Sequence, residues 1–514
     1  MNNDIETARN LYIQGNFAEA DKKLREILTK NPHIPEAWHY LGLIAYRIKN
    51  YKASIKFLDI AISIFPHEKF YLDKGNVLGE IQDFSGAIEC YEKVKELNPA
   101  SKSIYNNLGV VYEKKGDIEK ALENYKKALE ITPNSPLIYT NIGVMLNKNG
   151  YNKEAIESYL KAIELDPNLA TAHYNLGIAY NNEPDKAILH YKKTLELNPD
   201  YKKAYLNLAI SYLIKKDFDN GWKYYEERFQ VLNRFKPQVS NPKPKWDGSS
   251  LKDKIIYVYY EQGFGDTIQF CRFIPYLKKL EPKKILFKPQ PGLETLLRQN
   301  YPDIEIVDNS VSDENIVFDT YVSLLSLLYY FKINTENIPD NYIKPDPNKV
   351  IEYKEKYCNN DKFKIGICWQ GSPDHKRDKE RSIPLEYFRA LFEFQNVQVY
   401  SLQHGHECRQ IDNFDTKLNL INLGKTFYDF SDTAAAIENL DLVISVDTSI
   451  SHLSGAMGKP TWIILPMTND LRWFLDEDTT PWYKSIRLFR PKPNEKRILV
   501  MDRIIDALQS IVNA

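Results

Sequence analysis

The chain has 514 residues, of which 43% are hydrophobic and 27% are charged, and its formal net charge is -1. This length allows two or three globular domains, and the balanced charge disfavours nucleic acid or an acidic membrane surface as a general partner. The five cysteines lie far apart without a CxxC pair, which is typical of a reducing compartment and excludes a cysteine zinc site.

No targeting or membrane segment is predicted. The first residues, MNNDIETARN, are polar and lack the pattern of a signal peptide. No apolar run approaches the roughly 20 residues that a membrane span needs, and the longest, residues 321–331, predicts a buried helix. We therefore expect a cytoplasmic protein without a membrane span.

The N-terminal part of the chain repeats with a period close to 34 residues. Glycines, prolines and aromatic residues recur on this period: Gly75, Gly109, Gly143 and Gly177; Pro66, Pro99, Pro133 and Pro167; Trp38, Tyr71, Tyr105 and Tyr139. These positions resemble the tetratricopeptide repeat (TPR) pattern, in which paired helices approach at small residues, aromatic residues fill the gap to the next unit, and units stack to bury their apolar faces. We predict a TPR superhelix over residues 1–232, with six clear units and a degenerate seventh.

Such a stack has a concave face, which we expect to bind another protein. Asparagines recur near that face on the first helix of several units: Asn106, Asn107, Asn141, Asn175 and Asn207. They either grip the backbone of an extended peptide or only face solvent, and the sequence leaves both interpretations open.

The second half of the chain has a different pattern. Residues 233–254 form a linker rich in helix breakers, in which Trp246 is expected to anchor on a neighbouring domain. Short apolar runs then alternate with helical segments, including predicted helices over residues 266–280 and from residue 384, and this rhythm predicts parallel sheets. We predict two doubly wound halves, residues 255–340 and 341–493, with a ligand cleft between them and a C-terminal helix over residues 494–514.

The first candidate loop follows the strand predicted at residues 255–260 and reads EQGFGDT. Gly265 allows a tight turn, and Asp266 either reaches into the cleft or only caps the following helix. The third glycine of a dinucleotide-binding fingerprint is missing, so this loop alone is weak evidence for a ligand.

The second candidate loop begins with Gln370 and Ser372 and continues through a basic stretch to Arg381; the stretch also holds His375, Lys376, Arg377 and Lys379. Small residues and cations after a strand suit an anionic ligand. A solvated basic loop is the alternative interpretation.

The third candidate loop combines Asp447, Thr448, Ser449 and His452 where a strand ends and a helix begins. Free N–H groups and hydroxyls at a helix start suit a phosphate, and a carboxylate suits sugar hydroxyls. The alternative interpretation is that His452 is a helix histidine whose hydrogen bonds are made within the protein and not to a ligand. His404, with His406 nearby, follows another predicted strand.

Four motifs in order carry a more specific resemblance: EQGFGDTIQFCRFIPYL, WQGSPDHKRDKERSIPLEYF, VDTSISHLSGAMGKPTWIILP and DTTPWYKSIRLFRP. Together they resemble the bacterial glycosyltransferases that follow TPR arrays, which are related to the heptosyltransferases (family 9) and distantly to the O-GlcNAc transferases. The resemblance implies an α + α/β fold class, a TPR α-solenoid followed by a GT-B domain of two Rossmann-like halves. The acceptor then lies on the side of residues 255–340 and the nucleotide-sugar donor on the side of residues 341–493.

The resemblance also implies roles for the candidate residues. Asp266 is the expected general base, and Arg381 binds the donor diphosphate, with Lys376 and Lys379 as runners-up. The other donor-binding residues are Gly265, Gln370, Ser372, His404, Asp447, Thr448, Ser449 and His452. The acidic run at residues 476–478 is interpreted as surface, so no metal and no cofactor besides the donor substrate is expected.

The function implied is transfer of a sugar to a Ser or Thr hydroxyl of an acceptor protein recruited by the TPR array, with inversion. Relatives with this layout include flagellin-modifying enzymes, so the resemblance suggests flagellin or another surface protein as acceptor. Two alternatives stay open: a glycan or lipid-linked acceptor with repeats used for assembly, and a non-catalytic scaffold with a decayed GT-B half. The sugar, the nucleotide and the oligomeric state are not predicted.

Overall fold

The computed structural model describes residues 2–99, 101, 103–231, 243–374, 378–405, 408–412, 419–467, 470–474, 477–492, 495 and 497–512. The chain forms two compact units. The repeat unit comprises Met1–Ala179 with Lys193–Asn198, and the sheet unit comprises Tyr180–Lys192 with Pro199–Ala514.

Helices fill the first part of the chain. They are α1 (Asn2–Ile13), α2 (Phe17–Lys30), α3 (Pro35–Arg47), α4 (Tyr51–Ile64), α5 (Glu68–Glu80), α6 (Phe84–Leu97), α7 (Ile104–Lys115), α8 (Ile118–Ile131), α9 (Pro136–Lys148), α10 (Asn152–Leu165), α11 (Ala170–Ala179), α12 (Pro184–Leu197), α13 (Lys202–Ile214), α14 (Phe218–Tyr225) and α15 (Arg228–Val231). Consecutive helices pack as pairs from α1/α2 to α9/α10 in the repeat unit and as α13/α14 in the sheet unit, and these pairs follow the predicted period.

Three of the recurring glycines pack against a tyrosine of the paired helix: Gly75 against Tyr91, Gly109 against Tyr125 and Gly143 against Tyr159. A Cβ atom on Gly109 of α7 would lie 2.6 Å from the ring of Tyr125, which is fully buried on α8 of the same pair. The ring thus covers the glycine of its own pair, and it also belongs to an apolar cluster with Ile138, Ile142 and Met145 of the next pair. The spacing is fixed because real Cβ atoms do not approach this closely.

The sheet unit alternates strands and helices. They are β1 (Ile255–Tyr259), α16 (Phe264–Phe270), β2 (Lys284–Lys288), α17 (Glu294–Asn300), β3 (Glu305–Ile306), β4 (Thr320–Ser323), α18 (Leu327–Tyr330), α19 (Pro347–Tyr357), β5 (Phe363–Cys368), α20 (Asp378–Arg381), β6 (Val397–Ser401), α21 (Arg409–Asp412), β7 (Leu420–Asn422), α22 (Phe430–Glu438), β8 (Leu442–Val446), α23 (Ser449–Ala456), β9 (Thr461–Ile464), β10 (Thr479–Thr480), β11 (Tyr483–Phe489) and α24 (Leu499–Val512).

The strands form two sheets. The first has the order β3-β2-β1-β4 and is parallel throughout. The second has the order β10-β11-β9-β8-β5-β6-β7 and is parallel except where β10 pairs with β11. Central strands such as β8 are buried at every position, as strands covered on both faces require. Within each sheet, the loops that follow the parallel strands leave from one edge.

Three predicted elements differ from the structure. The run at residues 321–331 was expected to be one helix, but it begins within β4 and continues as a 3₁₀ turn, Leu324–Ser326, before α18. The helix predicted over residues 266–280 is α16 followed by a 3₁₀ helix, Cys271–Leu280, which contains Pro275. Proline has no N–H to continue an α-helical ladder. The helix predicted from residue 384 is also 3₁₀, over Leu385–Glu393.

The seventh helical pair packs within the sheet unit. The indole Nε1 of Trp222 donates to the carbonyl of Ile333 at 2.7 Å, and its ring meets Trp482 edge to face at 6.4 Å. The ring of Trp246 lies 4.6 Å from that of Tyr330, which fixes the end of the linker to the first sheet. The sheet unit therefore includes the seventh helical pair.

All five cysteines are free and buried. No helix in the described part of the chain combines the length and apolar character that crossing a membrane requires.

Candidate functional site

A cavity of about 1120 Å³ opens at the strand ends of the sheet unit. The loops after β1, β5, β6, β8 and β9 line it, so both sheets contribute. The ten residues that were assigned catalytic or donor-binding roles lie in its wall: Gly265, Asp266, Gln370, Ser372, Arg381, His404, Asp447, Thr448, Ser449 and His452. The three loops that the sequence singles out therefore meet in one place.

Asp266 lies in the first turn of α16. The helix begins at Phe264, so Asp266 is its third residue and not the N-cap that the sequence suggested. Its Oδ2 atom accepts a hydrogen bond from the Gly263 N–H at 3.1 Å, which caps the helix from inside the first turn. Its Oδ1 atom is paired with the guanidinium of Arg472.

Arg472 is the main functional candidate that the sequence analysis missed. It follows β9 and is only 14% exposed, and besides Asp266 it binds Asp470 at 2.9 Å and the side-chain oxygen of Gln269 at 3.0 Å. Nearby carboxylates, including Asp447, raise its pKa well above the ordinary value against the opposing effect of burial. No local motif marks this arginine, because its partners are far away in the chain.

Asp447 and His452 share the third loop. Burial, with the charge of Asp470, raises the pKa of Asp447 to about 6, although Arg472 and Arg381 oppose the shift. Burial also lowers the pKa of His452 well below its usual value, and the same two arginines add to this effect. His452 is therefore a neutral imidazole at physiological pH.

The surroundings of His452 hold it in one position. Its Nδ1 atom lies 2.9 Å from the Tyr483 hydroxyl, its Nε2 atom lies 3.8 Å from Asp447 Oδ1, and its ring stacks on Trp473 at 5.3 Å. A Cβ atom on Gly265 would lie 2.6 Å from its ring. Gly265 thus lets the loop after β1 touch the loop after β8.

Arg381 lies beneath the turn that follows β5. A Cβ atom on Gly371 would lie 2.2 Å from its guanidinium. The guanidinium reaches the Asp378 carboxylate and the Asp447 carbonyl, both at 3.3 Å. These are long contacts, so a bound anion would offer Arg381 a stronger partner.

Gln403 supports the second loop, and the sequence analysis missed it too. This buried side chain accepts from the N–H groups of Trp369 and Gln370 at 3.2 and 3.0 Å, and donates to the Gln370 carbonyl at 3.0 Å. Its neighbour His404 is exposed, and Nδ1 lies 3.0 Å from the Gly424 carbonyl. Ser372 is exposed beside them.

The two hydroxyls at the start of α23 differ. Thr448 is buried, and its Oγ1 lies 3.1 Å from the Ser445 hydroxyl. Ser449, the first helical residue, is half-buried in the cavity wall. Of the two, Ser449 is the hydroxyl better placed for a ligand.

Other predicted candidates lie elsewhere. Lys379 is exposed and outside the cavity wall. Glu477 pairs with Lys216, and Asp478 is exposed, in line with a surface interpretation of this acidic run. The remaining candidates lie outside the described residues: His375, Lys376, Arg377, His406 and Asp476.

The seventh helical pair also reaches the cavity, through Leu206, Ile210 and Tyr225. Behind this wall, Arg228 forms a buried two-point ion pair with Glu261, with contacts of 2.9 and 2.6 Å. Glu261 begins the loop that carries Asp266. The last helices thereby support the first candidate loop.

The repeat unit has a groove of its own, of about 450 Å³. Asn76 and Asn107 line it and are bonded to each other at 3.1 Å across successive pairs, and Asn141 bonds to Asn106 at 3.0 Å. Asn175 and Asn207 are half-buried. Of the predicted asparagines, those at 106, 107 and 141 thus link neighbouring repeats.

Comparisons with known proteins match the helical region. A family model described as TPR repeat matches residues 75–116, 112–150 and 145–183, and one described as tetratricopeptide repeat matches residues 5–69. A crystal structure of MamA is 30% identical and covers 30% of this chain and 92% of its own, with a TM-score of 0.28.

Two curated proteins are similar to parts of the chain. Protein FlbA of Caulobacter vibrioides is 24% identical over 299 residues, which cover 52% of this chain and 48% of FlbA. The TPR repeat-containing protein MJ1428 of Methanocaldococcus jannaschii is 28% identical over 113 residues, 22% of this chain and 20% of that protein. The chain thus spans about half of FlbA and a fifth of MJ1428. The FlbA match is longer than the helical array and so extends into the sheet unit. The predicted array is confirmed: the N-terminal helices are tetratricopeptide repeats.

Proposed function

We propose that this protein is a metal-independent glycosyltransferase of the GT-B type that moves a sugar from a nucleotide-sugar donor to an acceptor protein. The observation that carries the proposal is the cavity of about 1120 Å³, where all ten candidate residues meet at the strand ends of two parallel sheets. Ligands of such sheets bind at this edge.

The donor belongs on the side of the second sheet. Arg381 and the start of α23 offer a guanidinium and free N–H groups to a diphosphate. Asp447 and Ser449 lie beside them and can bind sugar or ribose hydroxyls. Gln370, Gln403 and His404 form the wall where the nucleoside would lie.

The acceptor belongs on the side of the first sheet, near Asp266. The acceptor hydroxyl oxygen attacks the anomeric carbon, and the bond from that carbon to the donor phosphate breaks. The nucleotide leaves with the bonding electron pair, while the hydroxyl proton passes to Asp266. Attack from the face opposite the leaving phosphate inverts the anomeric centre.

The repeats would recruit the acceptor protein, since TPR arrays stack into concave surfaces that bind partner proteins. The groove at Asn76 and Asn107 supports this role. The seventh pair supports it further, because Leu206, Ile210 and Tyr225 bring repeat helices to the edge of the cavity.

The test is incubation of the full chain with UDP-, GDP-, ADP- and CMP-linked sugars, followed by measurement of released nucleotide and of thermal stabilisation. We expect one donor to stabilise the protein and to be consumed slowly. Asp266→Asn should lower turnover by about 10²–10⁴-fold, the usual contribution of a general base. Asp303→Asn, at an exposed ion pair with Lys278, is the matched control and should leave turnover unchanged.

Two results would overturn the proposal. If no nucleotide or nucleotide sugar stabilises the protein against heat, a non-catalytic TPR scaffold is favoured. Full turnover in Asp266→Asn would remove the assigned base. Unchanged turnover in EDTA is expected, and a requirement for added Mg²⁺ or Mn²⁺ would contradict metal independence.

A further inference from the structure

The ion pair between Arg472 and Asp266 joins the two sheets. Arg472 follows β9 of the second sheet, and Asp266 follows β1 of the first. Among the ion pairs of the described residues in segments 255–340 and 341–492, this pair alone crosses from one segment to the other. Arg472 also donates to Gln269 at 3.0 Å, so one guanidinium binds two side chains of α16.

This pairing occupies the carboxylate that the proposed transfer needs. Arg472 binds Oδ1 of Asp266, and the Gly263 N–H binds Oδ2 at 3.1 Å. An acceptor hydroxyl must share or displace one of these donors before it can bond to the carboxylate. The N–H of Gly263 is fixed in the backbone, so the mobile side chain of Arg472 is the donor that can move.

The charges around Arg472 indicate what would move it. Two carboxylates contact its guanidinium, those of Asp266 and Asp470, and the charge of Asp447 also acts on it. Among the described residues of the cavity wall, Arg381 and Arg472 are the only ones with an arginine or lysine side chain. Both guanidiniums can bind a diphosphate that enters this acidic setting, because a phosphate carries more charge than a carboxylate and binds arginine in two-point geometry.

Resting on the proposed glycosyl transfer, we propose that Arg472 is a positioning residue that exchanges Asp266 for the diphosphate of the donor. In the free protein it holds the base and closes the two loops together. When the donor binds, the guanidinium turns to the phosphates and leaves Oδ1 open to the acceptor hydroxyl. The base is then exposed only when a donor is present, which limits contact between an acceptor and an empty donor site.

The exchange predicts a competition that a purely structural arginine would not show. Asp266 and the diphosphate compete for the same guanidinium. Neutralising Asp266 should therefore tighten diphosphate binding, and this gain should vanish when Arg472 is absent. If Arg472 only holds the two loops together, Asp266→Asn should leave the affinity for diphosphate unchanged or lower it.

The experiment is a double-mutant cycle on the full chain, with pyrophosphate, ADP, UDP and GDP as probes in isothermal titration calorimetry. Asp266→Asn should tighten binding of the best probe about tenfold, and Arg472→Gln should weaken it at least as much. Asp266→Asn in the Arg472→Gln background should change affinity less than twofold. Asp303→Asn, which removes the same charge outside the cavity, should have no effect.

Arg472→Lys provides a second variant if Arg472→Gln does not fold, as judged by tryptophan fluorescence. It keeps the charge and should restore part of the affinity. An equal effect of Asp266→Asn in both backgrounds, or no effect in either, would overturn the exchange while leaving the donor site in place. No binding of any probe to the parent chain or to Asp266→Asn would overturn the exchange and the proposed transferase together.

Discussion

Replacement of Arg228 by methionine should strongly destabilise the sheet unit. Arg228 and Glu261 are 1% and 2% exposed and share two contacts of 2.9 and 2.6 Å. Arg228→Met leaves the Glu261 carboxylate buried without its cation and also removes a 2.6 Å contact with Glu226. Breaking a buried pair from one side costs about 3–5 kcal/mol, because the remaining charge is desolvated and unpaired.

The double variant Arg228→Met/Glu261→Gln should recover about 2 kcal/mol of that loss, because no unpaired charge then remains at position 261. Urea unfolding followed by tryptophan fluorescence measures both values. Six of the seven tryptophans lie in the sheet unit: Trp222, Trp246, Trp369, Trp462, Trp473 and Trp482. The signal therefore reports mainly on the unit that holds the pair.

Arg389→Met is the matched control. Its partner is Glu386, and the two side chains are 49% and 57% exposed, so the change should cost at most about 1 kcal/mol. The reasoning fails if Arg228→Met costs no more than Arg389→Met, or if the double variant is no more stable than Arg228→Met alone.

Three further outcomes are expected. Gly109→Ala should destabilise the repeat unit by about 1–3 kcal/mol in circular dichroism melts, because the new Cβ would lie 2.6 Å from a buried ring. The control Gly79→Ala should be tolerated, because the nearest atom to its new Cβ would lie at 3.8 Å. Equal melting temperatures of the two variants would contradict this reasoning. The pKa of Asp447 is raised to about 6, so the folded state keeps a proton that the unfolded chain releases from about pH 4 upward. The free energy of unfolding should therefore fall by about 2–3 kcal/mol as the pH rises from about 4 to 6, because the stabilisation from the protonated Asp447 carboxyl is lost. Asp447→Asn should remove this slope in urea unfolding, and parallel pH profiles would show that the carboxyl does not titrate in that window. Gly265→Ala should push His452 away and weaken nucleotide diphosphate binding at least tenfold by calorimetry, whereas unchanged affinity would show that the two loops can separate freely.

The sequence predicted those features that repeat or that follow from strand order. The 34-residue period placed the helical pairs, and apolar runs placed most parallel strands, so their loops were expected to meet. The run that contains β4 was misread because continuous apolar sequence does not separate a strand from a helix. The strand β11 was missed as well.

The supporting residues were beyond sequence reasoning for a different reason. Arg472, Gln403 and Arg228 act through partners that are distant in the chain: Asp266, the turn after β5, and Glu261. None of the three belongs to a local motif, and only the fold brings each pair together. Residues within a recognisable local motif are thus easier to predict than residues that act through partners distant in the chain.

The burial of all five thiols makes the native chain a convenient host for a chemical label. Thiolates are the reactive form of cysteine, and burial raises the pKa of Cys271 to about 12 and that of Cys368 to about 11. Maleimides should therefore leave the folded protein unmodified at neutral pH. Tyr428 is 98% exposed at the rim of the cavity, so a cysteine placed there would carry a single fluorophore beside the site. Its emission would then report ligand entry in real time, without an acceptor or any turnover.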